Sequence, residues 1–172
     1  MSKYLFREVD LSKELIILLS IFNASKINHD LLDPLVDNND LLGIGFMEWE
    51  IIQEKLITSA IKLRIIDDQF KKHNKNPYFP KIVVGKIKEG NNKSKELSFR
   101  EACNKIVHAV KFIPKTHSNK KPIHEIFFIS KVYLEGAKEK TKWKAILDID
   151  KFVCDGLSLA KQYDEDWDIS SR

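Results

Sequence analysis

Arg100, Asn104 and His108 follow one another at intervals of four residues. At about 100° per residue, that spacing sets them along one edge of a helix, with Lys111 beside them. A guanidinium carries fixed positive charge, an amide donates and accepts hydrogen bonds, and an imidazole titrates close to neutral pH. Stacked on one edge, the three have the chemistry to hold a phosphodiester and move a proton. The same spacing also suits a plain solvated helix edge, and the residues alone leave both readings open.

The helix that must carry them is well marked. Ser98 followed three residues later by Glu101 is a capping-box pattern, which satisfies backbone N–H groups that the first turn leaves free. Phe99, Ala102, Cys103, Ile106, Val110 and Ile113 gather on the opposite, apolar face. The pattern predicts a helix from Leu97 to Ile113, stopped by Pro114. Arg64, Asp67 and Asp68 cluster near the end of an earlier helical stretch. They pair either among themselves on the surface or, in the alternative, supply an acid that orients Arg100 or His108 on the neighbouring helix.

Around this helix the chain reads as mixed structure. Leu11, Leu15, Leu18, Leu19 and Phe22 repeat at helical spacing within Val9 to Ser25. Ile27 to Gly45 carries Asp33-Pro34, Asn38-Asn39 and Gly43, which is turn chemistry and predicts a connection. Phe46 to Lys72 holds an apolar stripe of Trp49, Ile52, Leu56, Ala60, Leu63 and Phe70. It predicts a helix of roughly 40 Å at about 1.5 Å per residue. Ile82 to Ile87 is β-branched and interrupted by Gly85, which predicts an edge strand. A Gly/Asn/Lys loop is expected over Glu89 to Glu96, and a second basic loop over Thr116 to Pro122. Ile123 to Leu134 is strand-like. Trp143, Ala145, Leu147 and Ile149 alternate with polar residues, the strongest period-two signal in the chain. Asp150 is placed to cap a last helix bearing Phe152, Val153, Leu157, Ala160 and Tyr163, with an acidic, frayed tail at 164–172. The expected architecture is α+β: a bundle of about four helices with a small antiparallel β-sheet or hairpin, in a single domain spanning 1–172. Its helical part covers about 9–112, and its hairpin and last helix about 123–163.

Composition narrows the classes. With 43% hydrophobic and 31% charged residues, 172 residues suit one folded domain with a sizeable core. Cys103 and Cys154 belong to no Cys-x-x-Cys pair and are expected to be buried free thiols in a reducing cytoplasm, although one bridge between them stays open. The apolar run Leu15 to Phe22 is too short to span a bilayer, so no membrane partner is expected. Phosphate-loop, dinucleotide, zinc-protease and serine-hydrolase motifs are absent. Of the five histidines only His29 has an acid at i,i+4 spacing, Asp33, and none has a His or Cys there, so neither a metal nor another cofactor is expected.

The net charge of +4 is unevenly spread: residues 1–70 carry −5, residues 71–144 carry +13 and residues 145–172 carry −4. A basic middle between acidic ends points to a polyanion, RNA above all, with Lys105, Lys111, Lys115, Lys120 and Lys121 as the nucleic-acid-binding cations. Of the nineteen cations in the middle, eighteen are Lys, which supplies diffuse field rather than bidentate recognition.

Asn104-Lys105-Ile106-Val107-His108-Ala109 resembles the signature of the HEPN superfamily, small helical proteins that include many ribonucleases of bacterial toxin–antitoxin and defence systems. The motif there is an Arg, four to six residues, then a His, with a polar residue commonly after the Arg. His108 matches the His and Asn104 the polar residue. The motif Arg would fall at Cys103, and the nearest Arg is Arg100, with seven residues between it and His108. The resemblance covers about 60 of the 172 residues. It implies a metal-independent endoribonuclease in which His108, Arg100 and Asn104 are catalytic and the site is completed across a homodimer. With the motif incomplete, it equally implies an inactive relative that binds a partner protein. A basic nucleic-acid-binding module is the third reading.

Overall fold

A computed structural model describes residues 8–32, 38–73, 82–117 and 127–170. Two long helices open the chain, α1 (Glu8–Leu32) and α2 (Asn38–His73). Strands β1 (Val83–Glu89) and β2 (Lys95–Ser98) follow, then the short helix α3 (Phe99–Val107). Strands β3 (Lys111–His117), β4 (Phe127–Lys138) and β5 (Thr141–Asp148) lead into α4 (Ile149–Ser170). The fold is the α+β class that the sequence predicts, with four helices and one antiparallel sheet among the described residues.

The sheet is larger than a hairpin. Its strand order is β2-β1-β5-β4-β3, and every pairing is antiparallel. Burial alternates along β5, so Trp143, Ala145 and Leu147 face the helices while Lys142, Lys144 and Ile146 face away. On β4, Val132 and Leu134 are buried on the same inner side. The helices therefore cover one face, and the other is bare of helix among the described residues.

The core forms where the apolar stripes meet this inner face. Leu11, Leu15, Leu18 and Phe22 of α1 are buried, as are Ile52, Leu56, Ala60 and Leu63 of α2. Phe99 of α3 stacks on Phe152 of α4, with ring centroids 5.0 Å apart. Phe128 of β4 lies against Phe22 and Trp49, and its backbone N–H donates to the buried Ser25 hydroxyl at 3.0 Å, joining the sheet to α1. Lys62 of α2 reaches Glu14 of α1 at 3.0 Å.

Several local expectations need correction. α1 runs past Ser25 to Leu32, and α2 starts at Asn38, so Asn38-Asn39, Gly43 and Gly45 belong to a helix and not to a loop. Asp33-Pro34 lies outside the described residues. Asn28 donates to Glu48 at 3.1 Å, a contact that pairs the two helices across their connection and offsets the weak propensity of that turn-rich stretch. β1 is an interior strand, held by β2 on one side and β5 on the other. Gly85 is needed there because a Cβ would come within 2.0 Å of the Ile146 carbonyl oxygen. Asp148, not Asp150, caps α4: its carboxylate accepts from the Lys151 N–H at 3.2 Å. The 164–170 stretch continues α4 as helix.

The largest correction falls on the Leu97–Ile113 stretch. Leu97 and Ser98 end β2, α3 stops at Val107, and β3 begins at Lys111. Val110 is 86% exposed and its N–H donates to the Glu135 carbonyl at 2.8 Å. Pairing with β4 thus takes the chain out of the helix four residues before Pro114. β3 lies at the sheet edge, where a proline is tolerated, and its register shifts between Pro114 and Thr116.

Candidate nucleic-acid interface on the outer sheet face

The short helix is built as its first turn predicts. Ser98 has extended backbone and its hydroxyl accepts from the Glu101 N–H at 3.3 Å. Phe99, Ala102, Cys103 and Ile106 are all buried. Burial pushes the Cys103 thiol up to about 12, although Arg64 and Arg100 lie close enough to pull it the other way. Cys154, expected to be buried, is exposed on α4, and both cysteines are free.

The polar edge of α3 divides among three environments. The Arg100 guanidinium binds two carboxylates of α2: Nη1 meets the fully buried Asp67, and Nη2 donates to Asp68 at 3.0 Å. This is the arrangement in which the α2 acids orient the neighbouring helix's arginine. Asn104 is half-buried one turn on. His108 is exposed and forms the helix C-cap, its backbone N–H donating to the Asn104 carbonyl at 3.1 Å. Arg100 and His108 are eight positions apart, or about 12 Å of helix rise.

The expected nucleic-acid cations are likewise scattered. Lys105 points inward, with Nζ 3.1 Å from Glu89 and 4.6 Å above the Trp143 ring. Its side chain is 12% exposed, so its charge is used within the fold. Lys95 also reaches Glu89, at 3.1 Å. Hydrogen bonds from Lys105 and then Lys95 hold the Glu89 carboxyl below its usual range. Lys111 is exposed opposite Glu135, and Lys115 is half-buried where the β3 register shifts. Lys120 and Lys121 lie outside the described residues.

The outer face of the sheet gathers a set of lysines that reading the chain by segments did not single out. Lys86 and Lys88 of β1 and Lys142 and Lys144 of β5 are all exposed on it. Lys88 stands directly opposite Lys144. Next to them, at the end of the two strands, an open concavity of about 530 Å³ is lined by Lys88, Gly90, Asn91, Lys140, Lys142 and Lys144, with no acid in its wall. The Gly90 N–H donates to the Lys142 carbonyl at 2.8 Å, which draws the β1 end against β5. Lys144 binds Glu135 at 2.6 Å and holds that carboxyl low. One row further along, Glu96, Lys86, Ile146, Tyr133 and Ile113 lie side by side across all five strands. The signal was present as i, i+2 lysine pairs at 86/88 and 142/144. What brings the two pairs together is the β1–β5 register, which no local pattern encodes.

Among the described residues, no three His, Cys, Asp or Glu side chains gather in a way that would hold a metal ion. No described helix is long and apolar enough to cross a membrane. Comparison with family models, with curated proteins and with solved structures finds no match to this chain.

Proposed function

We propose that this chain is a nucleic-acid-binding protein that holds backbone phosphates on the outer face of its sheet, at the β1–β5 end. The observation that carries the reading is the lysine-lined concavity of Lys88, Lys140, Lys142 and Lys144 without an acid in its wall. Lys88 and Lys144 stand directly across a strand pair, where like charges repel, and Glu135 answers the charge of Lys144 alone. A polyanion in the concavity reverses the sign of that interaction and releases its own counterions on binding. Binding of a labelled oligonucleotide should weaken steeply with salt. Replacing Lys88, Lys142 and Lys144 together by Gln should reduce the slope of log K against log salt by about 2, from about 0.7 per phosphate contact on a single strand. An unchanged slope would remove the concavity from the interface.

A second reading, a HEPN-like metal-independent ribonuclease of a bacterial defence or toxin–antitoxin context, is supported by the exposure of His108 with Asn104 one turn earlier. In it the 2′-hydroxyl attacks the adjacent phosphate, His108 transfers the proton, and the leaving 5′-oxygen departs to give a 2′,3′-cyclic phosphate. Arg100 is held by Asp67 and Asp68, so the exposed Lys111, of this copy or of a second one in a homodimer, is the cation open to phosphate. RNA incubated with the protein and a metal chelator should then yield cyclic-phosphate ends, abolished in His108→Ala. Intact RNA under those conditions, with a stable protein complex recovered from cells, would favour the inactive, partner-binding relative.

A further inference from the structure

We infer, resting on the nucleic-acid reading above, that the outer face selects single strands over duplexes, by stacking a base on Tyr133 while the lysines hold the flanking phosphates. The row containing Tyr133 is unusual for a sheet face that is bare of helix among the described residues. Ile146, 39% exposed, lies on one side of Tyr133 and Ile113 on the other, so three apolar side chains form a continuous band. Charged residues border the band on β4 and β5. Lys144 is diagonal to Tyr133, one pleat along β5, with Lys88 beyond it and Glu135 bound to it from β4, and Lys131 lies one pleat away in the other direction on β4 itself, opposite Asp148. Cross-strand diagonals of this kind place side chains about 7–8 Å apart.

An aromatic ring between apolar neighbours, with cations a pleat away on either side, suits a chain that alternates flat bases with charged linkages. Base–aromatic stacking tolerates any sequence, because every base has a π-face. A duplex keeps its bases stacked on one another and offers this surface its phosphates alone. It therefore engages the lysines and leaves the Ile113–Tyr133–Ile146 band unused.

The test uses the full chain and fluorescence anisotropy with three labelled probes at low salt: oligo(dT) and oligo(U) 12-mers, and a 12-base-pair DNA duplex. Wild type should bind both single strands at least tenfold more tightly than the duplex. Tyr133→Leu keeps an apolar side chain that a strand accepts but has no π-face. It should weaken the single strands about tenfold and leave the duplex unchanged, whereas Tyr133→Phe should keep wild-type affinity. The Lys88/Lys142/Lys144 triple Gln variant should weaken all three probes. Equal binding of single strand and duplex, or a Tyr133→Leu variant that binds like wild type, overturns the stacking inference and leaves the electrostatic reading intact. If wild type retains none of the probes, both fail together.

Discussion

Two thiols on one chain meet opposite surroundings. Cys103 sits in the α3–α2 contact with its thiol pushed up to about 12, and Cys154 is exposed on α4. Only a thiolate reacts readily, so a disulfide reagent at pH 8 should titrate one thiol in the native protein and two in denaturant. Cys154→Ser should abolish the fast reaction; two fast thiols in the native state would contradict the burial of Cys103. Glu89 offers a pH-dependent contribution. Its carboxyl is held low by Lys105 and Lys95, so the folded state takes up its proton at lower pH than the unfolded chain does. The stabilisation is complete above the ordinary glutamate value of about 4.3 and is lost as pH falls through the lower folded value. Glu89→Gln should lower the urea midpoint at pH 7, and the gap from wild type should narrow as pH falls below about 4. A gap that stays constant with pH would assign the loss to packing around Trp143.

At the scale of elements, the Arg100 tie between α3 and α2 is, beside the Lys105–Glu89 pair, a polar contact that fixes the short helix. Asp67 is fully buried, and removing the cation would take its guanidinium partner from a charge held away from water. Breaking a buried pair costs about 3–5 kcal/mol, and the partial exposure of Arg100 puts this one toward the lower end, about 3 kcal/mol. Arg100→Gln should show that loss in urea unfolding, whereas Asp68→Asn, at the exposed partner, should cost less than about 1 kcal/mol. Equal losses would mean that the buried carboxylate is not the anchor. The elements that were legible from sequence were those whose signal is local. The α1 and α2 stripes, the Ser98 cap, the Phe99–Ile106 face and the Trp143–Leu147 alternation all follow from spacing within one segment. β3 was hidden because Val110 and Ile113 continue the helical stripe of α3 as well as they continue a strand. Only Glu135, on β4, decides between them. β1 looked like an edge because nothing within Val83–Glu89 refers to Thr141–Asp148. The same gap hid the candidate interface: each lysine pair is visible in its own strand, but the juxtaposition of Lys88 with Lys144 is a fact of register.

For the molecule as a whole, the division between a sheet face covered by helices and one bare of helix among the described residues organises everything else. The inner face is taken by the helices, α1 and α2 from the net acidic part of the chain among them, while exposed lysines of the basic middle stand on the outer face. The charge asymmetry of the sequence is thereby turned into a directional field, which steers an anionic ligand toward one side. The strand order adds a kinetic consequence. β5 sits between β1 and β4, so until it is in place the sheet exists only as two separate ribbons, β1–β2 and β3–β4. Isolated two-stranded ribbons are marginal in water. A chain leaving the ribosome therefore has β1 to β4 outside before β5 slots between its neighbours, and during that interval the apolar sides of both ribbons lie open to other nascent chains. Late commitment of this kind makes the arrival of the central strand the step that closes the sheet.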